Sequence, residues 1–206
     1  MRLFILIACF MLTACMGRDH VNYLRIRDIP EPTIQNFTHC YSYGCEKRKE
    51  LSLPQETINK LQTIFSSPSN SREIERNRIA QAVQIFEQDV GALAGTQHDI
   101  RGTFRLYESE NVIRGPQQDC IDESTNTTIY IALLEQLGML HFYEPSFTAN
   151  RQPFLGGAPW WHQTAVIKDK ETEEKFAVDS WFKNNGELPY IVPYKEWKDG
   201  WLPPKK

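Results

Sequence analysis

The sequence has no surplus of positive charge. Lysine and arginine number 23 against 26 acidic residues in 206, a formal net charge of −3. No Lys/Arg-rich block interrupts it, so nucleic acid is not an expected partner. An apolar run of about 20 residues, the length a bilayer-spanning helix needs, is also missing. Internal repeats and low-complexity blocks are absent, which favours one domain over an array. Cysteine is scarce, with five residues at 9, 15, 40, 45 and 120. The short motif "HCYSYGCEK" pairs Cys40 with Cys45 beside His39. It lacks the second ligand pair that a structural zinc site usually shows. A small Cys40–Cys45 disulfide is therefore favoured over a metal site with His39, and neither metal nor cofactor is expected.

The longest apolar run, Leu3 to Leu12, follows Arg2 and ends in Leu12-Thr13-Ala14-Cys15. It has the length of a secretory signal core. The run and its ending resemble the lipobox of bacterial lipoproteins, in which cleavage precedes the cysteine and the new N-terminus is lipidated. The resemblance implies a signal peptide over residues 1–14, lipid on Cys15, and a protein held at the cell envelope, on the outer membrane facing the periplasm. Such a chain is anchored to the membrane through its N-terminal lipid alone and does not span it. Removing 14 of 206 residues leaves 192, and losing Arg2 takes the net charge from −3 to −4. That length suffices for one domain with a real core. Residues 15–35 are polar, with Pro30 and Pro32, and read as a tether. Residues 36–206 read as the domain.

Three helices are expected. "SLPQETINKLQTIF" has capping-box spacing between Ser52 and Gln55, with Pro54 in the first turn. From about Arg72 to Val90, Ile79, Ala82, Val83, Phe86, Val90 and Leu93 recur at helical steps, with Gly91 and Gly95 as stops. The third begins in "QQDCIDESTNTTIYIALLEQLG". Asp119 can cap it, and its apolar positions are broad enough for burial on most sides. Residues 139–161 are loop-rich, and "LGGAP" at 155–159 suits a movable cleft edge. The C-terminal stretch reads as an irregular wrap whose Tyr190, Tyr194, Trp197 and Trp201 pack back on the domain.

With Cys40 and Cys45 paired, Cys120 is the odd thiol, a sign of a reactive or intermolecular cysteine in an exported protein. It stands at a helix N-terminus, where free N–H groups and the macrodipole favour a thiolate. Asp122 and Glu123 oppose that charge. A histidine partner is available in "HQTAVIKDKETEEKFAVDSWF", which reads as two strands about a charged turn. A hairpin symmetric about Lys170 and Glu171 sets His162 directly opposite Asp179. Opposed side chains on one face have Cβ atoms about 4.5–5.5 Å apart, so the carboxylate can orient the ring. A slip of one residue would put them on opposite faces.

The order of cysteine at a helix start, then histidine and aspartate on successive strands, resembles the transglutaminase-like branch of the papain-like fold. "QDCIDES" is similar to the nucleophile motif of bacterial transglutaminase-like cysteine proteinases, matching at Asp119, Cys120 and Asp122. Gln118 stands in place of that motif's glycine and Glu123 in place of an aromatic residue. "WHQTAVI" and "FAVDSWF" resemble the family's histidine and aspartate strands. The resemblance covers about residues 72–182. It implies an α+β fold with a papain-like core, a nucleophile helix on a small antiparallel sheet, and a Cys120-His162-Asp179 triad acting on a protein or peptide. For the oxyanion, the Cys120 N–H and the side chains of Gln117 and Gln118 are candidates. Trp160, Trp161 and Trp181 flank the proposed base and are either core or a shield for it. Three readings stay open: a thiol hydrolase, an amine-accepting acyltransferase, and a binding lipoprotein on a degenerate site.

Overall fold

The computed structural model describes residues 19–104, 116–152 and 160–204. The expected signal peptide, Cys15 and the glycines of "LGGAP" lie outside the described residues. The fold is α+β. Along the chain run α1 (Asp19–Ile26), β1 (Phe37–Tyr41), β2 (Lys47–Leu51), α2 (Gln55–Ile64), α3 (Arg72–Ala94) and α4 (Cys120–Gln136). Then come β3 (Tyr143–Arg151), β4 (His162–Asp169), β5 (Lys175–Asp179), β6 (Tyr190–Pro193) and α5 (Tyr194–Lys198). β1 and β2 form an antiparallel hairpin, and β3 to β6 form a four-stranded antiparallel meander in chain order.

Helix α4 packs on this meander and is buried from Asp122 to Leu134. A helix covered on nearly all sides needs no clean amphipathic stripe. One sheet face, with Ala165, Ile167, Phe176 and Val178, joins α4 and α3 in the main core. The opposite face, with Val166, Ala177 and Val192, meets Trp197 of α5 in a second core. Alternation along a strand sends neighbours to opposite faces, so the even positions of β4 and odd positions of β5 look toward Trp197. His162 and Asp179 share that parity.

Several expectations change. Residues 19–35 are no tether: α1 buries Leu24 completely, and Ile29 is buried after it. Helix α2 starts after Pro54 with no side-chain cap, so the Ser52–Gln55 box is not made. Gly91 lies inside α3. A Cβ there would come 2.8 Å from the Asn185 side chain, so it serves close packing, while Gly95 in the left-handed region ends the helix. Leu93 is exposed. The expected loop at 139–161 contains β3, whose Pro145 falls at a register shift on an edge strand, where a missing N–H is tolerated. The C-terminal wrap supplies β6 and α5, and its four aromatic residues do pack on the second core.

Candidate active site

Asp119 caps α4 by accepting from the N–H groups of Ile121 and Asp122, and the Asp122 side chain returns a bond to the Asp119 N–H. Cys120 is therefore the first residue of a well-capped helix. The start of α4 is also gripped from outside. Ser42, Tyr43, Gly44 and Cys45 all adopt the left-handed conformation (φ 68°, 66°, 75° and 61°) inside the Cys40–Cys45 disulfide loop. That turn aims its amides at the helix cap. Tyr43 and Cys45 N–H donate to Asp122, Gly44 N–H to Asp119, and Ser42 N–H to the Gln117 carbonyl. Three non-glycine residues in this region are costly. The hydrogen bonds and the disulfide hold them there. The disulfide expectation holds, and His39 is no ligand: it is buried between the Tyr130 and Thr96 hydroxyls, and burial pushes its pKa down to about 3.

His162 Nε2 lies 2.8 Å from Asp179 Oδ2, with both side chains buried. They meet although the register differs from expectation. Ala165 pairs with Val178 and Lys168 with Lys175, a slip of two residues from the symmetric hairpin. The turn is longer than two residues, because Asp169 accepts from Glu171 and Thr172 N–H and Glu173 turns left-handed (φ 61°). A slip of two preserves the face, so the pair becomes diagonal and still within side-chain reach. Asp179 Oδ2 also accepts from the Trp197 indole at 2.7 Å. The His162 ring is enclosed by Trp181 (4.8 Å between centroids), Phe182 (5.0 Å) and Trp197 (5.6 Å). With Nε2 donating to the carboxylate, Nδ1 keeps its lone pair, and it makes no hydrogen bond among the described residues.

The backbone N–H of Gln163, the residue after His162 at the start of β4, and the charge of Asp179 both act on the Cys120 thiol, which places Cys120 near this pair. Burial, then the charge of Asp119, pushes the thiol up to about 12, against the N–H groups of Gln163 and of Cys120 itself. The thiol is thus protonated at rest. Asp122 and Glu123 are not the main opponents of its charge. Burial pushes their carboxyls up to about 8 and about 7, which lowers their own ionisation. Cys120 is 8% exposed and opens onto a cavity of about 710 Å³ bounded by Phe104, Trp160, Trp161, Trp181 and Phe182.

Gln117 and Gln118 do not line that cavity. The Gln117 amide bridges the Ile100 N–H and the His98 carbonyl, and Gln118 Nε2 donates to the Cys40 carbonyl. Both fasten the segment before α4, which removes them as oxyanion donors. The Cys120 N–H, at the open end of the helix, remains. Sequence reasoning missed Arg151. It is fully buried, pairs across from His162, stacks on Trp197 at 4.7 Å, and donates to the Trp197 and Trp201 carbonyls. Its Nε and Nη2 have no partner among the described residues, and its charge acts on Asp179 and Cys120. No periodicity marks an arginine on an edge strand as buried. Comparison with family models, curated proteins and solved structures finds no match to the chain, so the site is read from its own chemistry.

Proposed function

We propose that the protein is a cysteine hydrolase of peptidase or amidase type, with Cys120 as nucleophile, His162 as base and Asp179 as orienter, on a core of papain-like, transglutaminase-like kind. The observation that carries this reading is the buried 2.8 Å bond between His162 and Asp179, with Cys120 near enough for the Gln163 N–H and the Asp179 charge to act on its thiol. In the reaction, the thiol proton passes to His162 Nδ1 as sulfur attacks the acyl carbon. A thiol raised this far favours transfer during attack over a standing thiolate. The Cys120 N–H faces the developing oxyanion. The tetrahedral adduct collapses, Nδ1 returns the proton to the departing amine, and a thioester remains. Water, deprotonated by Nδ1, then attacks the thioester, and sulfur leaves with that proton. The substrate is a protein or peptide at the cell envelope, reached by a chain anchored through lipid on Cys15. No described helix is long and apolar enough to cross a membrane.

A peptide vinyl sulfone tests the site. Mass spectrometry is expected to find one adduct, on Cys120, forming at least a hundredfold faster than with glutathione and lost in His162→Ala. Adduct formation at the glutathione rate would leave a binding lipoprotein. Supplying a primary amine with a cleavable peptide separates hydrolysis from amide transfer by the product formed.

A further inference from the structure

We infer that the cavity beside Cys120 receives an aromatic side chain of the acyl donor, on the residue whose carbonyl the sulfur attacks. This rests on the hydrolase reading above. The cavity wall is a continuous set of rings packed around Trp181, with Phe104 at 6.4 Å, Trp160 at 6.3 Å and Phe182 at 5.2 Å between centroids and tilted by 38°, 61° and 63°. Rings tilted this way present both faces and edges to the cavity. That arrangement suits an inserted aromatic ring, which prefers offset or edge-to-face contacts. A sugar would need one open, flat face. Phe104 and Trp160 are 36% and 38% exposed, so each keeps part of its ring in contact with solvent on the cavity that Cys120 lines. Covering them with a ring removes apolar area from water on both partners. The volume, about 710 Å³, takes a ring and the flanking peptide backbone. Asp119 and Arg101 also line the cavity; Asp119 Oδ1 already accepts the Ile121, Asp122 and Gly44 N–H groups, so a lysine entering among the rings would lose its hydration with little return.

The test uses the whole protein and peptides that differ only at that residue, carrying Phe, Leu, Ala or Lys. Binding of N-acetylphenylalaninamide to Cys120→Ala is followed in parallel by tryptophan fluorescence. The expected kcat/KM for Phe is at least tenfold above Ala and severalfold above Leu. Phe104→Ala and Trp160→Ala each bring the Phe-to-Ala ratio down severalfold, with thermal melts checking that both fold. Cleavage of all four peptides at similar rates overturns the inference and leaves the hydrolase reading standing. No cleavage, with the amide bound and then weakened by Phe104→Ala, supports an aromatic site and sinks the hydrolase reading. Neither cleavage nor binding overturns both.

Discussion

At the scale of single residues, the site is a charge arrangement shielded from water. Asp179 accepts from the His162 ring and the Trp197 indole, and the Arg151 guanidinium stacks on the same Trp197, so a carboxylate and a cation share one buried place. Asp179→Asn keeps an acceptor for Trp197 while removing the charge that steadies the imidazolium. The expected loss in kcat/KM is on the order of 10³, with an unchanged circular dichroism spectrum. Arg151→Met removes the compensating cation instead. The Arg151 charge acts on both Asp179 and Cys120, so kcat/KM should fall severalfold and Arg151→Lys should recover part of the loss. A loss that lysine does not relieve would make Arg151 a packing residue only. The thiol gives a further check. Because burial and Asp119 hold it up at about 12, iodoacetamide should label Cys120 more slowly than glutathione at pH 7. Labelling faster than glutathione would mean a standing thiolate and a different first step.

At the scale of elements, the disulfide loop and α4 work as one unit. Four consecutive left-handed residues point their amides at the two carboxylates that begin the helix, so the loop fixes where Cys120 stands. Closing so short a loop contributes about 2 kcal/mol by chain entropy. Cys45→Ser should lose roughly that in urea melts, and activity should fall further than stability accounts for, since the grip on Asp119 and Asp122 loosens. The sequence made part of this legible. Asp119 as cap, the buried α4, the cysteine pair and the shared face of His162 and Asp179 all follow from spacing. The loop conformation does not, because Ser42, Tyr43 and Cys45 are poor left-handed formers and only tertiary bonds keep them there. The hairpin register was hidden for the same reason, with Glu173 turning where no glycine signals it. β3 and β6 were missed because Pro145, Pro189 and Pro193 read as breakers, and only a neighbouring strand makes an edge position of them.

At the scale of the molecule, the region beneath the site stores protons. Glu87, Asp99 and Glu123 are buried near one another, and the charge of Glu123 raises both Glu87 and Asp99. Ser180, the neighbour of Asp179, donates to Glu123. Burial first, and mutual repulsion second, pushes Asp99 up to about 9 and Glu87 well above the usual carboxylate range. Asp122 and Glu123 are raised to about 8 and 7. Each of these groups binds its proton more tightly folded than unfolded. Their stabilisation is therefore present below about pH 4, where both states are protonated, and is lost as pH rises through the folded values. His39 works the other way. Held neutral down to about 3, it opposes folding as pH drops below about 6.5, but it is one group against four raised carboxyls. Stability should thus fall between about pH 5 and pH 9, and the melting temperature at pH 8.5 should lie several degrees below that at pH 5.5. Glu123→Gln removes one titrating group while leaving a side-chain oxygen to accept from Ser180, so its melting temperature should depend less steeply on pH. A wild-type melting temperature that rises over this range would mean the cluster is ionised when folded, and the protons assigned to it are not there.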